Sequence, residues 1–326
     1  MKNYTHLRSY DSTYISDLNA LVERSIADLP FSIAHPLDML YRELESENYD
    51  KAKDHALDLI EVAVQWLSMF MFVRLNNSTL PPRSLERLQR VVKKIDDKRA
   101  LSLGDWLSEI FIPIAQSAKE AMPEDELTMS IHNNLFKGKS CTLLGSKSEP
   151  SVVNTRNAYK GHGTILSLEL YRGVVYTLEP HIHALLRATA PLCTGEYISV
   201  GKEEREYYTL SHKGSTPNAK SYIAADDEDA APANVGHYYA TIDTTEGRTK
   251  YDLHPLIYCS EEGYVYIFQT LGEDNIAYIS SNIHAERTTH DIYNDDFDRL
   301  LQNIDKSFDI SREKNWDEIQ RAMPTR

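Results

Sequence analysis

Apolar side chains recur at three- and four-residue intervals through the first half of the chain, a period that predicts helices. Ile15, Leu18, Leu21, Val22, Ile26 and Leu29 mark one face of a helix over 14–29, closed by Pro30. Pro36 is expected to open the next helix, with Leu37, Leu40 and Leu44 on one side. The strongest pattern covers 50–76, where Ala56, Leu59, Ile60, Ala63, Val64, Leu67, Phe70, Met71 and Leu75 repeat at helical spacing. Its later turns are apolar nearly all round, which predicts a central helix. Residues 83–98 form a shorter helix rich in Arg and Lys, and Ser102 caps another over 103–121 with Asp105 in its first turn. Residues 132–155, with Gly138, Gly145 and Pro150, are expected to be a loop. A long helix then begins near His162 or Thr164 and runs to about Thr189. Its expected buried stripe is Ile165, Leu168, Tyr171, Val174, Val175, Leu178, Ile182 and Leu185, with Pro180 as a kink point.

Beyond Pro191 the period shortens towards two. Strands are predicted at Glu196–Val200, Tyr207–Leu210, Tyr238–Ile242, Leu253–Tyr258, Tyr264–Gln269 and Ala277–Ser280. Turn residues at Glu261-Glu262-Gly263 and Gly272-Glu273-Asp274-Asn275 make the last three an antiparallel meander. The run 224–232, which contains Asp226, Asp227, Glu228 and Asp229, is a low-complexity acidic loop, and Phe297, Leu300, Leu301 and Ile304 suggest a final helix. The expected fold class is α+β: an all-helical bundle over residues 1–193, then a smaller antiparallel β-rich domain over 194–326 that carries the acidic loop and the terminal helix.

Composition narrows the function classes. The net charge of −14 is uneven: residues 194–326 hold 13 Lys and Arg against 25 Asp and Glu, whereas residues 1–193 hold 22 against 24. The C-terminal part should repel a polyanion, so any nucleic-acid contact has to be local to the near-neutral helical part. Cys141, Cys193 and Cys259 are odd in number and widely spaced, which fits a reducing cytoplasm and argues against a disulfide framework or a structural zinc site. The longest apolar run, Val62–Val73, is interrupted by Gln65 and Ser68, so no membrane span is expected, and no apolar leader opens the chain.

One polar motif stands out: Arg156-Asn157-Ala158-Tyr159-Lys160-Gly161-His162. It puts a permanent cation and a titratable imidazole beside the start of the predicted long helix, where backbone N–H groups already favour an anion. Arginine offers a planar fork of donors that suits phosphate oxygens. Gly161 and Gly163 flank the histidine and permit close backbone approach.

Arg156, Asn157 and His162 resemble the hallmark of the HEPN superfamily: an Arg, a polar residue such as Asn, and a His a few residues on, between a loop and a long helix. The resemblance covers roughly residues 10–190. It implies a helical HEPN-like domain and a metal-independent endoribonuclease that needs no cofactor and works as a homodimer, two motifs facing one cleft. Under this resemblance His162 acts as general base or acid, Arg156 holds the phosphate, and Asn157 orients backbone or substrate. RNA is then the partner, with Lys160, Lys137 and Lys139 adding local positive potential. Such proteins are commonly toxins or antiviral defence effectors, so a defence-system partner or antitoxin is implied as well. Other members are non-catalytic, and the alternative is a sensor or assembly subunit using the same fold for dimerisation or for partner or nucleotide binding.

The same residues also have a plain structural reading, in which Arg156 pairs with a carboxylate, Asn157 caps a helix and His162 closes a turn. His181 and His183, two apart on one helix, face different sides and do not form a metal pair. Glu169 falls two turns after His162, where a surface salt bridge is the favoured role. The basic run Arg83, Arg87, Arg90, Lys93, Lys94, Lys98 and Arg99 is expected to be a solvated face.

Overall fold

A computed structural model of the chain describes residues 12–96, 101–145, 150–160, 167–203, 206–216, 220–222, 235–245, 247–260, 263–271, 276–280 and 287–290. The architecture is α+β, with helices first and antiparallel sheets after. The helices are α1 (Ser12–Asp28), α2 (Phe31–Glu45), α3 (Tyr49–Asn76), α4 (Pro82–Asp96), α5 (Leu103–Asp105), α6 (Ile112–Ala121), α7 (Glu126–Leu135), α8 (Val152–Lys160) and α9 (Leu168–Thr189).

α3 is the central element. It packs against α2, α6 and α9, and its far side meets the sheets. By length and composition alone α3 could cross a membrane, which its interrupted apolar run does not suggest. However, 94% of its most apolar 18-residue window is buried within the fold, as befits a core helix.

Ser102 caps the 103–121 segment as expected: its side chain accepts from the Asp105 N–H, and Asp105 accepts from the Ser102 backbone N–H in return. Between α5 and α6, residues Trp106–Phe111 widen into a π-helix. Pro113 follows without an N–H to give, and the Ile112 N–H reaches back five residues to Leu107.

Four local expectations are corrected. The second helix starts at Phe31, with Pro36 inside it, because Pro30 supplies the first accepting carbonyl to Ile33 and Ala34. The described part of 132–155 carries regular structure: α7 runs to Leu135, a hairpin joins β1 (Phe136–Lys137) to β2 (Ser140–Cys141), and α8 starts at Val152. Leu127, Ile131 and Leu135 bury one side of α7, a stripe too short to stand out in the sequence. The long helix begins at Leu168, capped by Ser167, instead of near His162 or Thr164, and Leu168 is 61% exposed. The predicted strand at Leu253–Tyr258 is a turn with a cis His254–Pro255 bond, and only Ile257–Cys259 pairs.

Five strands form one antiparallel sheet in the order β5 (Lys220–Tyr222), β4 (Glu206–Ser211), β3 (Glu196–Glu203), β6 (Tyr238–Thr244), β7 (Gly247–Asp252). The expected meander is the second sheet, β8 (Ile257–Cys259), β9 (Val265–Leu271) and β10 (Ile276–Ser280), extended by β11 (Arg287–His290). The acidic run 226–229 and the final helix over 297–304 lie outside the described residues.

Helices and sheets share one hydrophobic core that extends from Leu18 to Tyr278. Aromatic pairs cross the seam: Trp66 meets Tyr197 edge-on at 5.7 Å between ring centres, Phe70 meets Tyr251 at 5.7 Å, and Trp106 meets Phe268 at 6.3 Å. A buried ion pair reinforces it. Arg74 of α3 forks onto Asp125, the N-cap of α7, and the same guanidinium lies 5.7 Å from the rings of Phe70 and Tyr251.

Candidate functional site

The motif is carried by α8 and the segment after it. Ser151 starts the helix, its hydroxyl accepting from the Val153 N–H at 3.2 Å, and Val152 and Thr155 turn inward. Those anchors set the angle of the helix. Arg156 then lies at its edge, half-buried, and Asn157 is exposed. Arg156 therefore sits within a helix and not in a turn before the long helix, and Asn157 is a surface residue of α8 and does not cap a helix.

The Arg156 side chain leans on α3. Its Nε lies 3.7 Å from Oε2 of Glu61, a carboxylate within the buried length of the central helix. The side chain remains 25% exposed, and the buried Nε has no hydrogen-bond partner among the described residues. The inner end of the guanidinium is thus held by charge while the side chain still reaches the surface. Glu61 was not singled out in the sequence, although a carboxylate inside an almost wholly apolar helix is a signal: buried carboxylates are rare unless paired.

The other half of the motif, His162, lies outside the described residues, as do Gly161, Gly163 and the side chain of Lys160. Lys137 and Lys139 are exposed on the β1–β2 hairpin but face different cavities, because Gly138 turns the chain between them with φ +65°. Lys137 lines a cavity of about 450 Å³ with Asn134, Tyr176 and His181. Lys139 lines another, with residues of α4 and α6. Lys137 and Lys139 thus line two separate cavities, neither of which has Arg156 in its described lining.

His181 and His183 are both buried. His181 Nε2 is 3.2 Å from the Pro150 carbonyl just ahead of α8, and His183 lies 4.0 Å from Glu179 one turn back. Glu169 is exposed in the first turn of α9 and lines a third cavity, about 460 Å³, with Glu45, Glu47 and Arg172. On α4 the basic residues Arg83, Arg90 and Lys93 are exposed, while Arg87 pairs with Glu120 at 2.8 Å and Lys94 with Asp105 at 3.0 Å.

The strand-rich part brings together groups that the sequence reading passed over. Asp252 accepts from the ring of His237 at 2.7 Å and from the backbone N–H of His254 at 3.0 Å. The two imidazoles stack with centres 4.0 Å apart and planes 9° from parallel. Among the described residues, no three His, Cys, Asp or Glu side chains converge as metal ligands would.

No protein-family model matches the chain, and comparison with curated proteins and with solved structures gives no match either.

Proposed function

We propose that this protein is a cytoplasmic, metal-independent endoribonuclease whose site is built from Arg156, Asn157 and His162 and completed by a second copy of the chain. The observation that carries this reading is the Arg156–Glu61 pair. A phosphate-binding arginine works best when its inner end is fixed before substrate arrives. The likeness of the motif to the HEPN superfamily supplies the reaction. The RNA 2′-hydroxyl attacks the adjacent phosphorus, its proton passing to His162 of one copy. The P–O5′ bond breaks, and the leaving oxygen takes a proton from His162 of the second copy. The products are a 2′,3′-cyclic phosphate and a 5′-hydroxyl. Arg156 neutralises the charge gathering on the phosphoryl oxygens. The need for a 2′-hydroxyl selects RNA over DNA.

A second reading rests on other observations. Glu61 already offsets the charge of Arg156, and Leu168 and Leu170 are 61% and 52% exposed at the start of α9, beside the motif. Both suit a non-catalytic subunit of a defence complex that docks a partner or antitoxin through this face.

One experiment separates them. Purified protein is incubated with RNA and a chelator, alongside His162→Ala and Arg156→Ala. The ribonuclease reading expects cyclic-phosphate ends from the wild type and none from either variant. Equal cleavage by wild type and His162→Ala sinks it. No cleavage by any of them, combined with stable association in sedimentation, selects the second reading.

A further inference from the structure

A different cavity concentrates positive charge that the sequence disperses. It measures about 260 Å³ and lies between α4, α6, α7 and the β1–β2 hairpin. Four cationic residues line it: Arg83 and Arg87 from α4, Lys119 from α6 and Lys139 from the hairpin turn. Glu120 is the only carboxylate among the described residues of the lining, and it is already engaged, accepting from Ser84 and pairing with Arg87, both at 2.8 Å. Three cations are therefore left in excess at one concave spot on a chain whose net charge is −14.

The back of the cavity is closed by packed side chains. His132, nine-tenths buried, stacks on Phe136 with ring centres 4.6 Å apart, and its Nε2 is fixed at 2.8 Å from the Ala115 carbonyl. Its Nδ1 is buried without a partner among the described residues. Arg83, Lys119 and Lys139 are exposed at the mouth, so a solute reaches them directly.

We propose that this cavity is an anion site that takes a phosphate group. The volume falls just short of the roughly 300–1,000 Å³ of pockets that enclose whole drug-sized molecules. A single phosphate with its water is the better fit. Like-charged side chains gathered on three elements repel one another, and a multivalent anion relieves that repulsion. Arginine forks and lysine ammonium groups together offer the charge-assisted hydrogen bonds that phosphate oxygens accept. The phosphate belongs either to a free small molecule or to an RNA backbone crossing the hairpin. The site shares Lys139 with the RNA contacts expected from the sequence, but no residue of the motif takes part, so it stands without the ribonuclease reading.

The test is calorimetry on the full chain with inorganic phosphate at low ionic strength. Wild type is expected to bind saturably, and Arg83→Gln/Lys119→Gln to bind about tenfold more weakly or worse. Both positions are exposed, so the fold should survive, which circular dichroism checks. A control pair on the five-stranded sheet, Lys202→Gln/Lys250→Gln, should bind as wild type does. His162→Ala should also bind normally, which separates this site from the motif. A 2′-O-methylated oligonucleotide, which the proposed transesterification cannot cut, then distinguishes the sources. Displacement of phosphate assigns the site to RNA backbone, and lack of displacement assigns it to a free phosphate compound. The proposal is overturned if wild type shows no saturable phosphate binding, if the Arg83/Lys119 variant binds as tightly as wild type, or if His162→Ala alone removes binding.

Discussion

Arg156 Nε stands 3.7 Å from Glu61 Oε2, so the surface helix that carries the motif is tied by charge to the buried central helix. If Glu61 positions the arginine, Glu61→Gln should lower RNA cleavage by about 10- to 100-fold, mainly in kcat, with little change in KM. Combined with Arg156→Ala, it should cost nothing further. A stability loss in Glu61→Gln with unchanged kcat would reduce the pair to a structural contact.

The Arg74–Asp125 fork is almost wholly inside the fold, with side chains 2% and 6% exposed. Burial alone would raise the Asp125 carboxyl, but the hydrogen bonds and charge of Arg74 outweigh it and hold the group below the ordinary carboxylate range. Asp125→Ala leaves a cation buried beside Phe70 and Tyr251 and should destabilise the protein by about 3–5 kcal/mol in urea unfolding. A loss below 1 kcal/mol (roughly the value of a surface pair) would show that water reaches the arginine.

His212 gives a pH signature. Its Nε2 is 2.7 Å from Ser199 Oγ, and burial pushes its pKa down to about 4 from 6.5. The unfolded chain therefore takes up a proton below 6.5 that the folded chain refuses until about 4. Stability should be fully present above pH 6.5 and fall as the pH drops from there towards 4. The fall should be smaller in His212→Gln over the same range. Identical slopes in wild type and variant would assign the acid sensitivity elsewhere.

The shared core predicts cooperativity. Phe268 of β9 meets Trp106 across the seam between helices and sheets. Phe268→Ala should cost about 3–5 kcal/mol. Helical and near-ultraviolet signals should still melt together in both proteins. Two separate transitions in the wild type would mean that the helical and strand-rich parts fold as independent units.

The thiols offer a simple check on packing. Burial raises Cys141 and Cys193 to about 11, so little thiolate exists at neutral pH. Both should react with a thiol-specific dye only at the rate of unfolding. Rapid labelling of the native chain would show that the region around β2 or the end of α9 opens.

Much of the local structure was legible in the chain order. The apolar stripe of α3, the Ser102–Asp105 box and the β-branched and aromatic runs of β3, β6 and β9 all depend on neighbours a few residues apart, and period, capping chemistry and local composition record such neighbours. The buried stripe of α9 was drawn too long for the same reason. Leu168 fits the helical period yet is exposed, and the period marks a face without saying whether anything covers it.

What the sequence determined by itself is the order of helices and strands, the central place of α3 and the motif as a group of residues. Tertiary structure alone decided which charges meet. Glu61 beside Arg156, Arg83 and Lys119 around one cavity with Lys139, and His237 stacked on His254 join residues whose separation along the chain carries no trace of their contact. Folding by burial of apolar surface selects faces, and the polar groups on those faces acquire their partners only when the faces close.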